Sequence, residues 1–116
     1  MKYLCLIYQD HSIIQNLPKP ELEKLHSEYI AFTDEIKKSG RLLANNGLQP
    51  AQTASTVKVR NGRIAITDGP FAETKEQLGG YFLIEAGDLN DAVQIAAKIP
   101  SARFGSVEVR PVWGEL

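Results

Sequence analysis

Apolar and polar residues follow one another along this chain in blocks whose period changes several times. The first block, Tyr3 to Tyr8, is an unbroken apolar run, as expected of a strand buried on both faces. Asp10 to Pro20 is a polar connection ending in Leu-Pro-Lys-Pro. Pro20 suits the first position of a helix, and Glu21 and Glu23 favour the positive end of its dipole. Leu22, Leu25, Tyr29, Phe32 and Ile36 then recur at spacings of three and four, which is one face of a helix. Lys37 and Lys38 fall in its last turn, and Gly40 supplies the left-handed stop.

Arg41 to Leu48 reads as a weaker strand, with Leu42 and Leu43 apolar and Asn45-Asn46-Gly47 breaking the pattern. A hairpin follows whose register can be read residue by residue. Asn61-Gly62 is the favoured two-residue type I′ turn, which pairs Val59 with Ile64, Val57 with Ile66 and Ser55 with Asp68. The opposite face carries Thr56, Lys58 and Arg60 against Thr67, Ala65 and Arg63. Strand alternation therefore sets Asp68 on the apolar face, at the end of its strand and aimed inward. Gly80 to Glu85 is another apolar strand. Asp88 begins a second helix, with Asp91 in a capping-box-like position, apolar Leu89, Ala92, Val93, Ala96 and Ile99, and Pro100 to close it. Ser106 to Val112 alternates as a final strand.

The order strand, helix, run of strands, helix, strand predicts an α+β ferredoxin-like sandwich: two helices on an antiparallel sheet of about five strands. Such a sheet has one bare face, and an apolar bare face finds cover in a symmetric dimer. A homodimer with a shared cavity between the sheets is therefore expected. The length of 116 residues makes one domain, 1–116, large enough for a core without disulfides or metals.

Charge and composition remove several function classes. Net charge is −1 and the pI is about 6.1, which supplies no field for nucleic acid or an anionic membrane. The apolar run at the N-terminus stops at Gln9, too short for a signal-peptide core or a membrane span, so a cytoplasmic location is expected. Cys5 is the single cysteine and sits inside an apolar run as a buried thiol. Cys5, His11 and His26 show no metal-ligand spacing, so neither a metal site nor another cofactor is expected. Gly79-Gly80-Tyr81 lacks the lysine of a P-loop, and neither Ser101 nor Ser106 sits in a nucleophile elbow.

The densest chemistry lies in Asp68-Gly69-Pro70-Phe71-Ala72-Glu73-Thr74-Lys75-Glu76-Gln77. A carboxylate at an apolar rim has a raised pKa and can serve as a general acid or base. The same stretch also reads as turn chemistry: Asp accepts local backbone hydrogens, Gly takes positive φ, and Pro fixes the next residue. Both readings stand. His26, at the flank of the apolar face of the first helix, can reach a cavity rim as an acid/base group. The alternative is a half-exposed boundary residue, the commoner setting of a histidine at a helix edge.

Ile66 to Tyr81 closely resembles the signature of the DGPF family within the YCII-related superfamily. Met1-Lys2-Tyr3-Leu4, Tyr29-Ile30-Ala31-Phe32-Thr33 and Gly105 to Val112 are similar to further landmarks of that family, so the likeness covers nearly the whole chain. The resemblance implies a dimeric ferredoxin-like α/β-barrel and an association with extracytoplasmic-function sigma factors. It also implies a His–Asp pair in a cleft, the His lying on the first helix. Here the matching position, counted back from the glycine that ends that helix, is Tyr29 rather than His26, a departure from the pattern.

Two functions follow as expectations. One is a cofactor-free enzyme acting on a small organic molecule, with Asp68 or His26 as acid/base and Tyr29, Glu73 and Lys75 orienting the ligand. The other is a non-catalytic, ligand- or protein-binding dimer module tied to sigma-factor regulation. A third possibility is that the Asp68 loop serves only to complete the dimer.

Overall fold

The computed structural model describes residues 1–116. The elements run β1 (Lys2–Gln9), α1 (His11–Gln15), α2 (Lys19–Lys38), β2 (Leu42–Gly47), β3 (Ser55–Arg60), β4 (Arg63–Asp68), β5 (Gln77–Glu85), α3 (Leu89–Ala96) and β6 (Ser106–Pro111). Four strands make an antiparallel sheet in the order β2-β5-β1-β6. The two longer helices, α2 and α3, cover one face of it. This mixed α+β arrangement is consistent with the ferredoxin-like expectation.

Local chemistry explains where the elements start and stop. Pro20 lies in the first turn of α2, and past the Ser39 cap Gly40 takes φ +74°, a conformation that costs a residue without Cβ nothing. In α3 the Asp88 carboxylate accepts from the Asp91 amide, as its capping position predicts. The core lies between these helices and the sheet. Tyr3, Cys5 and Ile7 of β1, with Phe82 and Ile84 of β5, pack on Phe32 and Ile36 of α2 and on Ala92, Ile95 and Ala96 of α3. Burial pushes the Cys5 thiol up to about 11, which keeps it protonated and inert.

Three expectations need correction. First, β1 is buried on one face only, since Leu4, Leu6 and Tyr8 point to the uncovered side and stay half-buried. An apolar run shows that both faces avoid water, but not that one chain covers both. Secondly, the connection after β1 contains α1, capped by Asp10, whose carboxylate accepts from the Ser12 amide at 3.0 Å. Five residues are too few to show a helical period.

Thirdly, the hairpin does not join the sheet. Its internal register is as expected, with Val59 opposite Ile64, Val57 opposite Ile66 and Ser55 opposite Asp68, around Asn61 and Gly62 at φ +54° and +74°. Yet β3 and β4 form a ribbon of their own. Turn residues dictate which strands pair; they do not dictate which sheet edge the pair then meets. The ribbon is closed at its root by the Gly69 amide on the Ala54 carbonyl (2.7 Å) and by the Thr56 hydroxyl on the Gly69 carbonyl (3.0 Å). It makes the molecule flat and extended, 48 × 40 × 19 Å. The radius of gyration is 16.0 Å, against about 13 Å for a compact chain of this length.

Candidate functional site

Two hollows flank the end of β1. The first, about 540 Å³, opens between α2 and the sheet. Its apolar wall comes from Ile7, Leu25 and Phe82, and its polar wall from His26, Tyr29, Asn45, Ser101 and Gln9. Tyr29 faces inward because it follows Leu25 and precedes Phe32 on the apolar stripe of α2. Its ring lies parallel to Phe82, with centroids 6.5 Å apart.

At the inner end of this hollow three side chains from distant parts of the chain are bonded in series. The Tyr29 hydroxyl is hydrogen-bonded to the Ser101 hydroxyl, and Ser101 donates to the Gln9 side-chain carbonyl at 2.9 Å. Ser101 owns one proton and gives it to Gln9, so Tyr29 is the donor to Ser101. The series is therefore directed: phenol to serine to glutamine. It leaves a lone pair on the Tyr29 oxygen and the Gln9 amide N–H₂ free for a ligand. The turn that carries Ser101 (Pro100–Arg103) is held to α2 by Arg103, whose guanidinium grips both Glu28 oxygens at 2.7 and 3.1 Å. Ser101 itself is 1% exposed.

Burial raises the Tyr29 pKa above its ordinary value of 10.0, and the Ser101 hydrogen bonds and Arg103 offset that only in part. The phenol thus stays protonated through the neutral range. A spectrophotometric titration at 295 nm is expected to show a phenol that ionises above the ordinary tyrosine range. Tyr29→Phe should delete that late step, and a curve that keeps it would refute the assignment. Ser101→Ala should cost about 1–3 kcal/mol in urea unfolding, because the phenol loses its acceptor and Gln9 its donor in a partly buried place. A loss under about 0.3 kcal/mol would mean that water replaces the hydroxyl without penalty.

The second hollow, about 610 Å³, lies beside the Asp68 segment and is lined by Asp10, His11, Asp68, Glu73, Lys75 and Gln77 among others. Gln9, Ile14 and Gly79 border both hollows. A bulge explains this junction: Ile7 pairs with Gly80 but Tyr8 with Leu78, so Gly79 is the extra residue. A Cβ on Gly79 would come within 2.9 Å of the Gln9 amide nitrogen, so the glycine leaves room for that side chain.

The expected site residues are thus divided. Tyr29 and His26 line the first hollow; Asp68, Glu73 and Lys75 line the second. Asp68 and His26 do not share a cavity. Asp68 lies on the apolar face of the ribbon, as its register requires, but that face opens to solvent, so the carboxylate is exposed rather than aimed inward. The loop after it is closed by its own bonds: Gln77 donates to the Ala72 and Thr74 carbonyls at 2.9 Å, and Thr74 to the Glu76 carbonyl at 2.7 Å. Gly69 takes φ +102°. Of the turn chemistry expected of this segment, the positive φ of Gly69 is present, while no backbone amide donates to the Asp68 carboxylate. Asp10 is held below its ordinary pKa chiefly by its bonds from Ser12, with Lys75 and His11 adding to the effect. No three His, Cys, Asp or Glu side chains gather into a metal-ligating group, and no helix is long and apolar enough to cross a membrane.

The YCII-related domain family matches residues 1–115. The chain belongs to that family. A relative in Rhizobium meliloti (strain 1021), an uncharacterised protein, is 36% identical over 114 residues, covering 97% of this chain and 92% of the relative. In this YCII-related chain the tyrosine on the long helix is met by a serine and a glutamine. Spacing did not reveal those partners. Gln9 and Ser101 are 92 positions apart and look like a strand end and a turn residue.

Proposed function

We propose that this YCII-related protein binds a small, largely apolar organic molecule in the hollow between α2 and the sheet. The observation that carries this reading is a hollow of about 540 Å³ with a directed Tyr29–Ser101–Gln9 series at its inner end. Its size falls within the usual ligand range of about 300–1,000 Å³. The free lone pair of Tyr29 suits a ligand hydroxyl or N–H, and the Gln9 amide suits a ligand carbonyl. His26 on the same wall is the group able to exchange a proton with such a ligand, which extends the reading to cofactor-independent acid/base chemistry.

A second reading is supported by the separation of Asp68 from His26 into different hollows. It is non-catalytic binding, in the sigma-factor setting that the DGPF resemblance of Asp68–Phe71 carries. In both readings the chain acts as a homodimer, sheet to sheet in the dimeric α/β-barrel manner, because Leu4, Leu6, Tyr8, Tyr81 and Leu83 leave a half-exposed apolar face.

Phenol and indole, titrated separately and followed by amide chemical shifts, test the site. Shifts should centre on Leu25, Tyr29 and Phe82, and Leu25→Trp should abolish them by filling the hollow. Shifts confined to Val57–Ile66, or none with either probe, would refute it. His26→Ala that keeps phenol binding while abolishing turnover of a later-found substrate supports the catalytic form; unchanged turnover supports the other.

A further inference from the structure

The ribbon β3–β4 is amphipathic and its apolar side is covered by nothing. Val57 is 60% exposed, Val59 57%, Ile64 71% and Ile66 66%. These four aliphatic side chains form one continuous stripe, because the register sets Val57 against Ile66 and Val59 against Ile64. The opposite side carries Lys58, Arg60 and Arg63. Apart from its root at Ala54 and Gly69, the ribbon packs chiefly on itself. A strip that is apolar beneath and cationic above is built as a cover, and its own body is not what it covers.

We propose that the ribbon is an arm that clasps a second copy of this chain, its Val57–Val59–Ile64–Ile66 stripe packed on the partner copy's body. This rests on the homodimer reading given above. The area needed singles out a second copy as the occupant. Four strands about 4.8 Å apart and roughly 25 Å long give a sheet face of about 500 Å² in projection. A stable interface needs about 800 Å² from each partner. Two ribbon strands of six residues add a stripe of about 200 Å², and the patch that the partner's arm covers adds as much again. Under a two-fold axis each copy gives one arm and receives one, so the sheet face and both arms together reach the required area. The Asp68 carboxylate, on the stripe's own side, is then carried to the junction of the two copies.

Sedimentation equilibrium on the full chain tests the arm. The wild type should be dimeric, and Ile64→Glu with Ile66→Glu should raise the dimer dissociation constant on the order of 100-fold. Because both side chains are exposed within one copy, the variant should keep its far-UV circular dichroism. A dissociation constant within about threefold of wild type, with the wild type dimeric, overturns the arm while leaving the homodimer intact. A wild type that is monomeric at all concentrations overturns both. Should the double glutamate variant fail to fold, hydrogen exchange on the wild type decides. Protection of Val57–Ile66 amides that rises with protein concentration supports the arm, and protection independent of concentration overturns it.

Discussion

Phe82→Ala should remove about 3–5 kcal/mol of stability, a large share of the roughly 5–15 kcal/mol that holds a domain of this size together. Phe82 is 4% exposed in β5 and sits where the core meets the first hollow. The Phe32 ring meets it edge-on with centroids 5.1 Å apart, and Tyr29 stacks on it from the cavity side. Truncation therefore forfeits the transfer of a whole ring and two aromatic contacts worth about 0.5–1.5 kcal/mol each. Tyr29 and Phe32 are fixed one turn apart on α2 and cannot collapse into the gap independently. Urea unfolding read by circular dichroism is the measurement, with an unchanged slope expected. Phe82→Leu, which retains most of the volume, should lose less than half as much. A loss below about 1 kcal/mol for the alanine would show that the ring is not packed as described. The same change should abolish phenol binding, since the hollow loses its floor.

What could be read in advance divides by the distance over which an interaction acts. The helix from Lys19 to Lys38 was legible because Leu25, Phe32 and Ile36 obey one period and Gly40 ends it. The ribbon register was legible to the residue, because Asn61 and Gly62 tolerate positive φ and strand alternation does the rest. The attachment of the ribbon was not. Val57, Val59, Ile64 and Ile66 announce an apolar face, and a single sequence cannot say whether that face meets its own sheet, another chain or water. The site divides in the same manner. Tyr29 could be placed on the inner face of its helix from spacing alone. Its partner Ser101 lies 72 positions away, in a turn that Arg103 ties to Glu28 of α2, a pairing with no local signature. The Asp68 segment stands out by charge density, yet the bonds that close its loop come from the uncharged Gln77 and Thr74, and Glu76 accepts from Ser106 of β6. Charge density marks a segment without saying what its charges face.

Gly105→Ala should be nearly as costly as losing the Phe82 ring, at about 3 kcal/mol, although it adds a single methyl group. Gly105 precedes β6, at the point where that strand comes alongside the end of β1 and Ser106 pairs with Tyr8. A Cβ there would be driven into the Tyr8 carbonyl oxygen and would lie 3.3 Å from both Cα and Cβ of Gln9. The obstacle is the end of β1 itself, a carbonyl oxygen and a Cα with its attached Cβ, so no rotamer change relieves it. Either β6 moves out or the end of β1 moves, with a cost at the upper end of that for overpacking a rigid site. The second course displaces Gln9, the terminal acceptor of the Tyr29–Ser101–Gln9 series. The variant should therefore show two effects together: lower stability in urea, and a shifted Gln9 side-chain amide resonance in the folded state. Gly47→Ala is the control, because a Cβ at that position meets nothing within 4 Å, and its stability should stay within about 0.5 kcal/mol of wild type. Equal effects at the two positions would refute the steric account. A Gly105→Ala variant of wild-type stability would mean that β6 and β1 do not approach as closely as the Ser106–Tyr8 pairing requires. If the stability falls and the Gln9 resonance stays in place, β6 has yielded instead, and the series behind the cavity is more rigid than the strand that borders it.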